Sequence, residues 1–169
     1  MMIRLVGAVL LVSGCGGFGF AMGLHYRREI RMLRQLLAAL QEIEWELKYR
    51  LTPLPGLCAI GAAAAEGKLG QLFRDLGAAL EEGAFSEVSG CMNGLMQTAD
   101  ITPKCRICLR ELGNSLGRYD LEGQLQGIRL VMHKCRGFLE DLESHRAERM
   151  RSYQTLWLCA GGALAILLV

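Results

Sequence analysis

The chain has 169 residues, of which 51% are hydrophobic, and its 19 basic and 17 acidic residues give a formal net charge of only +2. This length suits one domain plus short membrane segments, and the near balance of charge excludes a general nucleic-acid binder, whose footprint is a strongly basic face. The seven cysteines are an odd number without the paired spacing of a disulfide framework, which indicates free thiols in a reducing compartment.

The N-terminal segment, residues 1–24, is predicted to hold a transmembrane helix. Leu5–Leu24 contains no formally charged residue, and at about 1.5 Å per residue it measures roughly 30 Å, the thickness of a bilayer core. Cys15, Gly19 and Gly23 follow one another at four-residue intervals, so these small residues share one helical face. Such a face favours close packing against another membrane helix.

The same segment allows a second interpretation. The run Val12-Ser13-Gly14-Cys15 is also typical of a lipoprotein signal, which would make the chain an exported binding module acylated at Cys15. The apolar run continues past Cys15 to Leu24, however, and a secretory signal core is usually shorter. We therefore favour the membrane span and keep the lipoprotein as an alternative.

The first helix is predicted to continue beyond the membrane. Three carboxylates, Glu42, Glu44 and Glu46, lie off its apolar face and form a candidate docking surface for a basic partner, with a plain solvated face as the alternative. Thr52-Pro53-Leu54-Pro55-Gly56 should end the helix, because each proline disfavours helical geometry in the residue before it. The apolar face has steps of three, four or seven residues and consists of Ile30, Leu33, Leu37, Leu40, Leu47 and Leu51.

Three helices are predicted next, over residues 57–65, 69–80 and 85–99, and a fourth begins with Thr102 as N-cap and Pro103 as its first residue. Within it, Cys105 and Cys108 form a lone C-x-x-C motif. One such pair cannot supply four zinc ligands, so ordinary helical thiols are favoured. A thiol or metal protein that uses this pair is the second alternative.

Residues 112–124, which we call the joint, are predicted to connect that helix to the last one. Leu109, Leu112 and Leu116 mark the apolar face of the arriving helix, and Gly113 within it indicates close helix approach. Gly117 is placed where a left-handed residue ends a helix. Asp120 is the expected N-cap of the departing helix, whose apolar face begins with Leu121, Leu125 and Ile128.

The last helix is predicted to run without interruption into a C-terminal transmembrane helix at residues 153–169. This segment of 17 residues is about 26 Å long, at the short limit for a span. Arginines flank both spans on their inner sides, and the positive-inside rule therefore places residues 25–152 in the cytoplasm and both termini outside. The predicted fold is all-α: a cytoplasmic six-helix bundle flanked by two transmembrane helices.

Two sequence blocks carry a resemblance to a known family. One is the pattern Leu-Gly-x-x-Leu-Gly-x-x-Asp-x-x-x-Gln, from Leu112 to Gln124, and the other runs from Arg34 to Thr52-Pro53-Leu54. Together with the two terminal spans, these blocks resemble the stage III sporulation protein AB family of endospore-forming bacteria. Residues 57–105 match only in general character.

The resemblance implies a function. The family is similar to the cytoplasmic domain of the type II secretion inner-membrane platform protein F. It implies a non-enzymatic assembly component of a sporulation-specific secretion-like complex, in the mother-cell membrane facing the forespore. The implied partners are other components of that complex, including its ATPase, and further copies of the chain. No cofactor, metal, nucleic acid or small-molecule substrate is expected.

Overall fold

The computed structural model describes the backbone of residues 2–83, 87–117 and 120–168 and the side chains of residues 26–83, 87–117 and 120–144. In these ranges the chain forms six α-helices and no strand, which confirms the all-helical prediction. The helices are α1 (Met2–Arg50), α2 (Leu54–Ala64), α3 (Gly67–Glu81), α4 (Val88–Thr98), α5 (Pro103–Ser115) and α6 (Leu121–Leu168).

The two long helices, α1 and α6, pack side by side in antiparallel directions. Arg34 on α1 forms an ion pair with Glu143 on α6 at 2.6 Å, and ten residues further along α1, Glu44 pairs with Arg129 at 2.6 Å. Both helices therefore leave the bundle at the same end, which we call the long-helix end. The opposite end carries the turns after Arg50 and Ser115, and we call it the turn end.

The apolar face of α1 is largely confirmed. Ile30, Leu33, Leu40 and Leu47 are buried, and burial of each such side chain contributes about 1.5–3 kcal/mol before entropy is counted. Two predicted members of the apolar stripes are wrong: Leu51 is 65% exposed and Leu121 is 39% exposed. Leu51 follows the last residue of α1 and Leu121 is the first residue of α6, so both lie at turns, where the stripe is left exposed. The core members that the pattern omitted include Leu36, Ala39 and Ile43.

Helix α2 begins three residues earlier than predicted. Pro53 is its N-cap, and the first backbone hydrogen bond runs from the Leu57 N–H to the Pro53 carbonyl at 3.1 Å. Proline is tolerated in the first turn because the N–H it lacks would have no partner there. Pro53 and Pro55 therefore end α1 and begin α2 together.

The N-terminus of α5 depends on a residue from a distant part of the chain. Thr102 takes the N-cap position before Pro103, as predicted, but its side chain makes no capping hydrogen bond. The Lys104 N–H instead donates to Glu29 Oε1 at 3.1 Å. Glu29 is 7% exposed, so its carboxylate meets the positive end of α5 inside the bundle.

Among the residues whose side chains are described, no helix has a stretch long enough and apolar enough to cross a membrane. The two segments expected to do so, residues 5–24 and 153–169, lie outside those residues, as do Cys15, Gly19 and Gly23.

Candidate interaction site at the turn end

The joint has the geometry that its residues predict. Helix α5 ends at Ser115, and Gly117 follows with φ +74°, a left-handed conformation that glycine adopts at the lowest cost. Asp120 Oδ1 accepts the Gly123 N–H at 3.1 Å, and the Asp120 carbonyl accepts the Gln124 N–H at 2.9 Å. Asp120 is therefore the N-cap of α6, and both ends of the connection are fixed by specific residues.

Two glycines allow close helix contacts next to the joint. A Cβ atom on Gly113 would lie 3.2 Å from Met92 Cβ, so α5 and α4 are close there, as the glycine predicts. A Cβ on Gly127 would overlap Ser115 Cβ and lie 2.8 Å from Ser115 Oγ. This contact joins α6 to the last residue of α5, and it was not predicted from the sequence. The signal that could have indicated it is a glycine within a leucine-rich helix.

The structure brings the two family-like blocks together at the turn end. A Cβ on Gly117 would lie 3.6 Å from Leu54 Cδ2 and 3.1 Å from Val88 Cγ2. The joint therefore meets the first residues of α2 and of α4. Leu112 and Leu116 are buried beneath this junction, and Gln124 is half-buried in the first turn of α6. The blocks are far apart in sequence but share one end of the bundle.

The three carboxylates of the proposed acidic surface have different environments. Glu44 pairs with Arg129 of α6, and this pairing raises the pKa of the Arg129 guanidinium. Glu46 is 14% exposed; it forms an ion pair with Arg50 at 3.4 Å, as the spacing predicts, and accepts a hydrogen bond from Thr52 Oγ1 at 3.1 Å. Glu42 is exposed.

These contacts change the interpretation of the acidic surface. Glu44 and Lys48 have the four-residue spacing that favours an ion pair on a helix, whereas the Glu44 carboxylate contacts a residue 85 positions away. Glu44 and Glu46 thus hold the end of α1 to α6 and to its own terminal turn. Of the three carboxylates, Glu42 is the one that the described contacts leave facing solvent.

A second group of exposed residues, which was not predicted from the sequence, lies on the last two turns of α1 and on the residue that follows it. Trp45, Tyr49 and Leu51 are 49%, 63% and 65% exposed. The rings of Trp45 and Tyr49 are 5.5 Å apart, Lys48 Nζ is 5.1 Å from the Tyr49 ring, and Arg50 Cζ is 5.6 Å from the Trp45 ring. We call these five residues, Trp45, Lys48, Tyr49, Arg50 and Leu51, the turn-end patch.

The described cysteines are free and buried. In the C-x-x-C motif, Cys108 forms a hydrogen bond with Cys135 of α6, and this bond together with burial raises the pKa of the Cys135 thiol. Burial also raises the pKa of Cys105, and that of Cys58 to about 11. The same hydrogen bond to Cys135 lowers the pKa of the Cys108 thiol. No group of three or more metal-ligating side chains occurs in the described part of the chain.

Comparison with known proteins shows where the chain belongs. The family model of stage III sporulation protein AB matches residues 4–169. The chain is 29% identical to stage III sporulation protein AB of Bacillus subtilis (strain 168) over 171 residues, covering 99% of this chain and 100% of that protein. A solved structure of a stage III sporulation protein AB, 25% identical, superposes with a TM-score of 0.62 over 72% of this chain and 98% of that one. The chain belongs to the stage III sporulation protein AB family.

Proposed function

We propose that the chain is a non-enzymatic, membrane-anchored assembly component of a sporulation-specific secretion-like complex, and that forespore development requires it. Its place would be the mother-cell membrane facing the forespore, with the bundle in the cytoplasm and both termini outside. The observation that carries the proposal is the family match, which extends over residues 4–169 and so includes both terminal helices. The bundle would correspond to the cytoplasmic domain of the type II secretion platform protein F.

The arrangement of the long helices supports the membrane anchor. Helices α1 and α6 both leave the bundle at the long-helix end, so residues 5–24 and 153–169 follow from the same side of the domain. Arg27, Arg31 and Arg34 line an open cleft of about 670 Å³ at that end. Arginines just inside a span retain it on the cytoplasmic side.

The chemistry of the described residues supports a role in assembly. The described thiols lie in the core, and the exposed charged and aromatic residues of α1 are available for protein contacts. We propose that other components of the complex, including its ATPase, dock on the bundle, and that further copies of the chain take part. The acidic contribution to docking comes chiefly from Glu42, because Glu44 and Glu46 are engaged within the bundle.

The function is tested by replacing the native gene with variants in its sporulating host. Deletion should abolish most of the spore yield, and the intact chain should restore it. A topology reporter at position 100 should behave as cytoplasmic, and one placed after Val169 as extracytoplasmic. A bundle that is digested by protease in intact spheroplasts would contradict the proposed orientation.

The lipoprotein alternative has its own test. Cys15→Ser removes the thiol sulfur to which a lipid would be attached at that position. A chain held by two spans keeps its membrane association and its full mass in this variant. Loss of residues 1–14 from the mature wild-type chain, with release of the Cys15→Ser variant from its anchor, would establish the lipoprotein instead.

The acidic surface is tested with Glu42→Gln. An exposed carboxylate contributes little to folding, so the melting curve should not change. Recovery of partners on co-purification should fall at low salt. Added salt should weaken docking of the parent and reduce the difference between parent and variant, because docking by exposed charges is screened. Unchanged recovery and spore yield would show that Glu42 belongs to a solvated face.

A further inference from the structure

The turn-end patch has the composition of a binding surface. Trp, Tyr and Arg are the residues that dominate binding energy in protein interfaces, and here all three lie within six positions of one helix. The Trp45 and Tyr49 rings contact each other at an interplanar angle of 46°, and a cation lies within about 6 Å of the centre of each ring. Cation and ring restrict each other's rotamers, so the patch loses little conformational freedom on binding.

The backbone beneath the patch is held in place. Leu51 has φ +52°, a conformation that is unusual for a residue with a Cβ, and its side chain is 65% exposed. The Glu46 side chain is 14% exposed and contacts the residues on both sides of Leu51. It forms an ion pair with Arg50, which precedes Leu51, and it accepts a hydrogen bond from the hydroxyl of Thr52, which follows it. Strain of this kind persists only where surrounding contacts enforce it, and it occurs most often at functional positions. The contacts of Glu46 thus flank a leucine that is exposed to solvent at the end of α1.

Three possible occupants differ in their chemistry. The bilayer is too distant: Trp45 is 21 residues beyond Leu24 on the continuous helix α1, about 30 Å at roughly 1.5 Å per residue, whereas the headgroup layer extends less than about 10 Å beyond the hydrocarbon core. A second copy, docked through the same patch, would bring Lys48 and Arg50 against their own counterparts. A partner with carboxylates beside apolar side chains complements both the cations and the rings.

We infer that the turn-end patch docks a segment of a partner protein that presents Asp or Glu next to apolar side chains. This inference rests on the proposed assembly function and names the surface through which it acts. The exposed rings and Leu51 provide apolar contact. Lys48 provides charge that orients the segment, and Arg50, which also pairs with Glu46, keeps 66% of its side chain exposed for a second contact. Glu42, one turn before Trp45 on α1, borders the patch and repels an acidic segment shifted toward the long-helix end.

Site-specific photo-cross-linking in sporulating cells tests the inference with the full-length chain. A benzophenone amino acid replaces Tyr49, where it preserves an aromatic ring, and in a separate strain it replaces Ala78, an exposed residue of α3. Adducts are purified, and the cross-linked peptide is sequenced by mass spectrometry. The expected result is a Tyr49 adduct to a protein segment rich in Asp or Glu and apolar residues, which the Ala78 position does not produce.

Charge variants provide the matched comparison. Lys48→Glu with Arg50→Gln should reduce the Tyr49 adduct by about tenfold or more, since a few anchor residues carry most of the affinity of an interface. Arg136→Glu with Arg74→Gln changes the net charge equally at exposed positions on α6 and α3, and it should leave the adduct intact. Far-UV circular dichroism and the unfolding midpoint check that both double variants are folded.

Several outcomes would overturn the inference. They are a lipid adduct, an adduct to a second copy of the chain, an adduct to a segment without carboxylates, and no adduct in cells that sporulate normally. Equal loss of the adduct in both double variants would assign it to net charge alone. The proposed function would survive each of these results if deletion of the gene still abolishes spore formation, so the two failures are distinguishable.

Discussion

Replacing Gly127 by alanine places a methyl group where α6 crosses the end of α5. The new Cβ would overlap Ser115 Cβ and lie 2.8 Å from Ser115 Oγ, whereas carbon atoms in good contact are about 3.5–4.0 Å apart. A Cβ atom is attached to the backbone and cannot rotate away. One helix must therefore shift, and overpacking of this kind costs about 1–3 kcal/mol.

A second effect acts in the opposite direction, because alanine is about 1 kcal/mol more favourable than glycine within a helix. Gly137 lies on the same helix, and a Cβ added there would meet no atom within 4 Å. Gly137→Ala therefore measures the gain in helix stability alone. The difference between the two unfolding free energies isolates the cost of the contact, about 1–3 kcal/mol. We expect Gly127→Ala to be the less stable variant by that amount, measured by urea unfolding of the detergent-solubilised full-length chain.

Removal of the opposing atom completes the test. Ser115→Gly deletes the Cβ against which the new methyl group would press, so the cost of Gly127→Ala should largely disappear in that background. This non-additivity is the coupling energy between contacting residues. If Gly127→Ala is as stable as Gly137→Ala, or if Ser115→Gly does not reduce its cost, the helices do not approach as closely as described.

Four further changes test other features of the bundle by the same unfolding measurement. Asp120→Ala should cost about 0.5–2 kcal/mol through the lost N-cap, while Asp120→Asn, which keeps the acceptor oxygen, should cost much less. Gly117→Val should destabilise the chain by at least about 1–2 kcal/mol, because a β-branched residue is strained at φ +74°; an unchanged midpoint would place the end of α5 elsewhere. Glu29→Ala should cost about 1–3 kcal/mol by leaving the Lys104 N–H without its acceptor, and Glu29→Gln should recover most of that loss. The Cys58 pKa, raised from 9.0 to about 11 by burial, means that the folded state holds this proton more tightly than the unfolded state. Stability should therefore fall as the pH rises from 9 toward 11, and Cys58→Ala should flatten that part of the profile.

The helices could be predicted because their signals are local. Periodic leucines, Pro103 and the Gly117–Asp120 pair lie within or beside the elements they define, and the structure confirms the order of six helices. The errors occur at the ends of the apolar stripes. Leu51 and Leu121 continue the pattern in sequence, but burial depends on contacts with other helices, and both side chains are exposed in the fold.

The contacts between distant parts of the chain could not be predicted from local patterns. Glu44 reaches Arg129 and Glu29 reaches Lys104 across long sequence separations, and a carboxylate has no periodic signal that identifies its partner. The sequence shows the acidic cluster near the end of α1. It does not show which of its carboxylates form ion pairs within the bundle and which face solvent. Trp45 and Tyr49 were overlooked because they lie off the apolar stripe, and exposed aromatics off such a stripe are the signal that could have found them.

The antiparallel pairing of α1 and α6 also determines how the domain responds to mechanical load. When the turn end is pulled and the long-helix end is held, both helices are stretched in the same direction. Neither helix then slides past the other, and the ion pairs between them are not sheared. A sideways force that separates Tyr26 from Ser144 would instead peel the helices apart, opening Arg34–Glu143 before Glu44–Arg129. The pair of long helices therefore resists a load along its axis, whereas a load across the axis separates the two helices step by step.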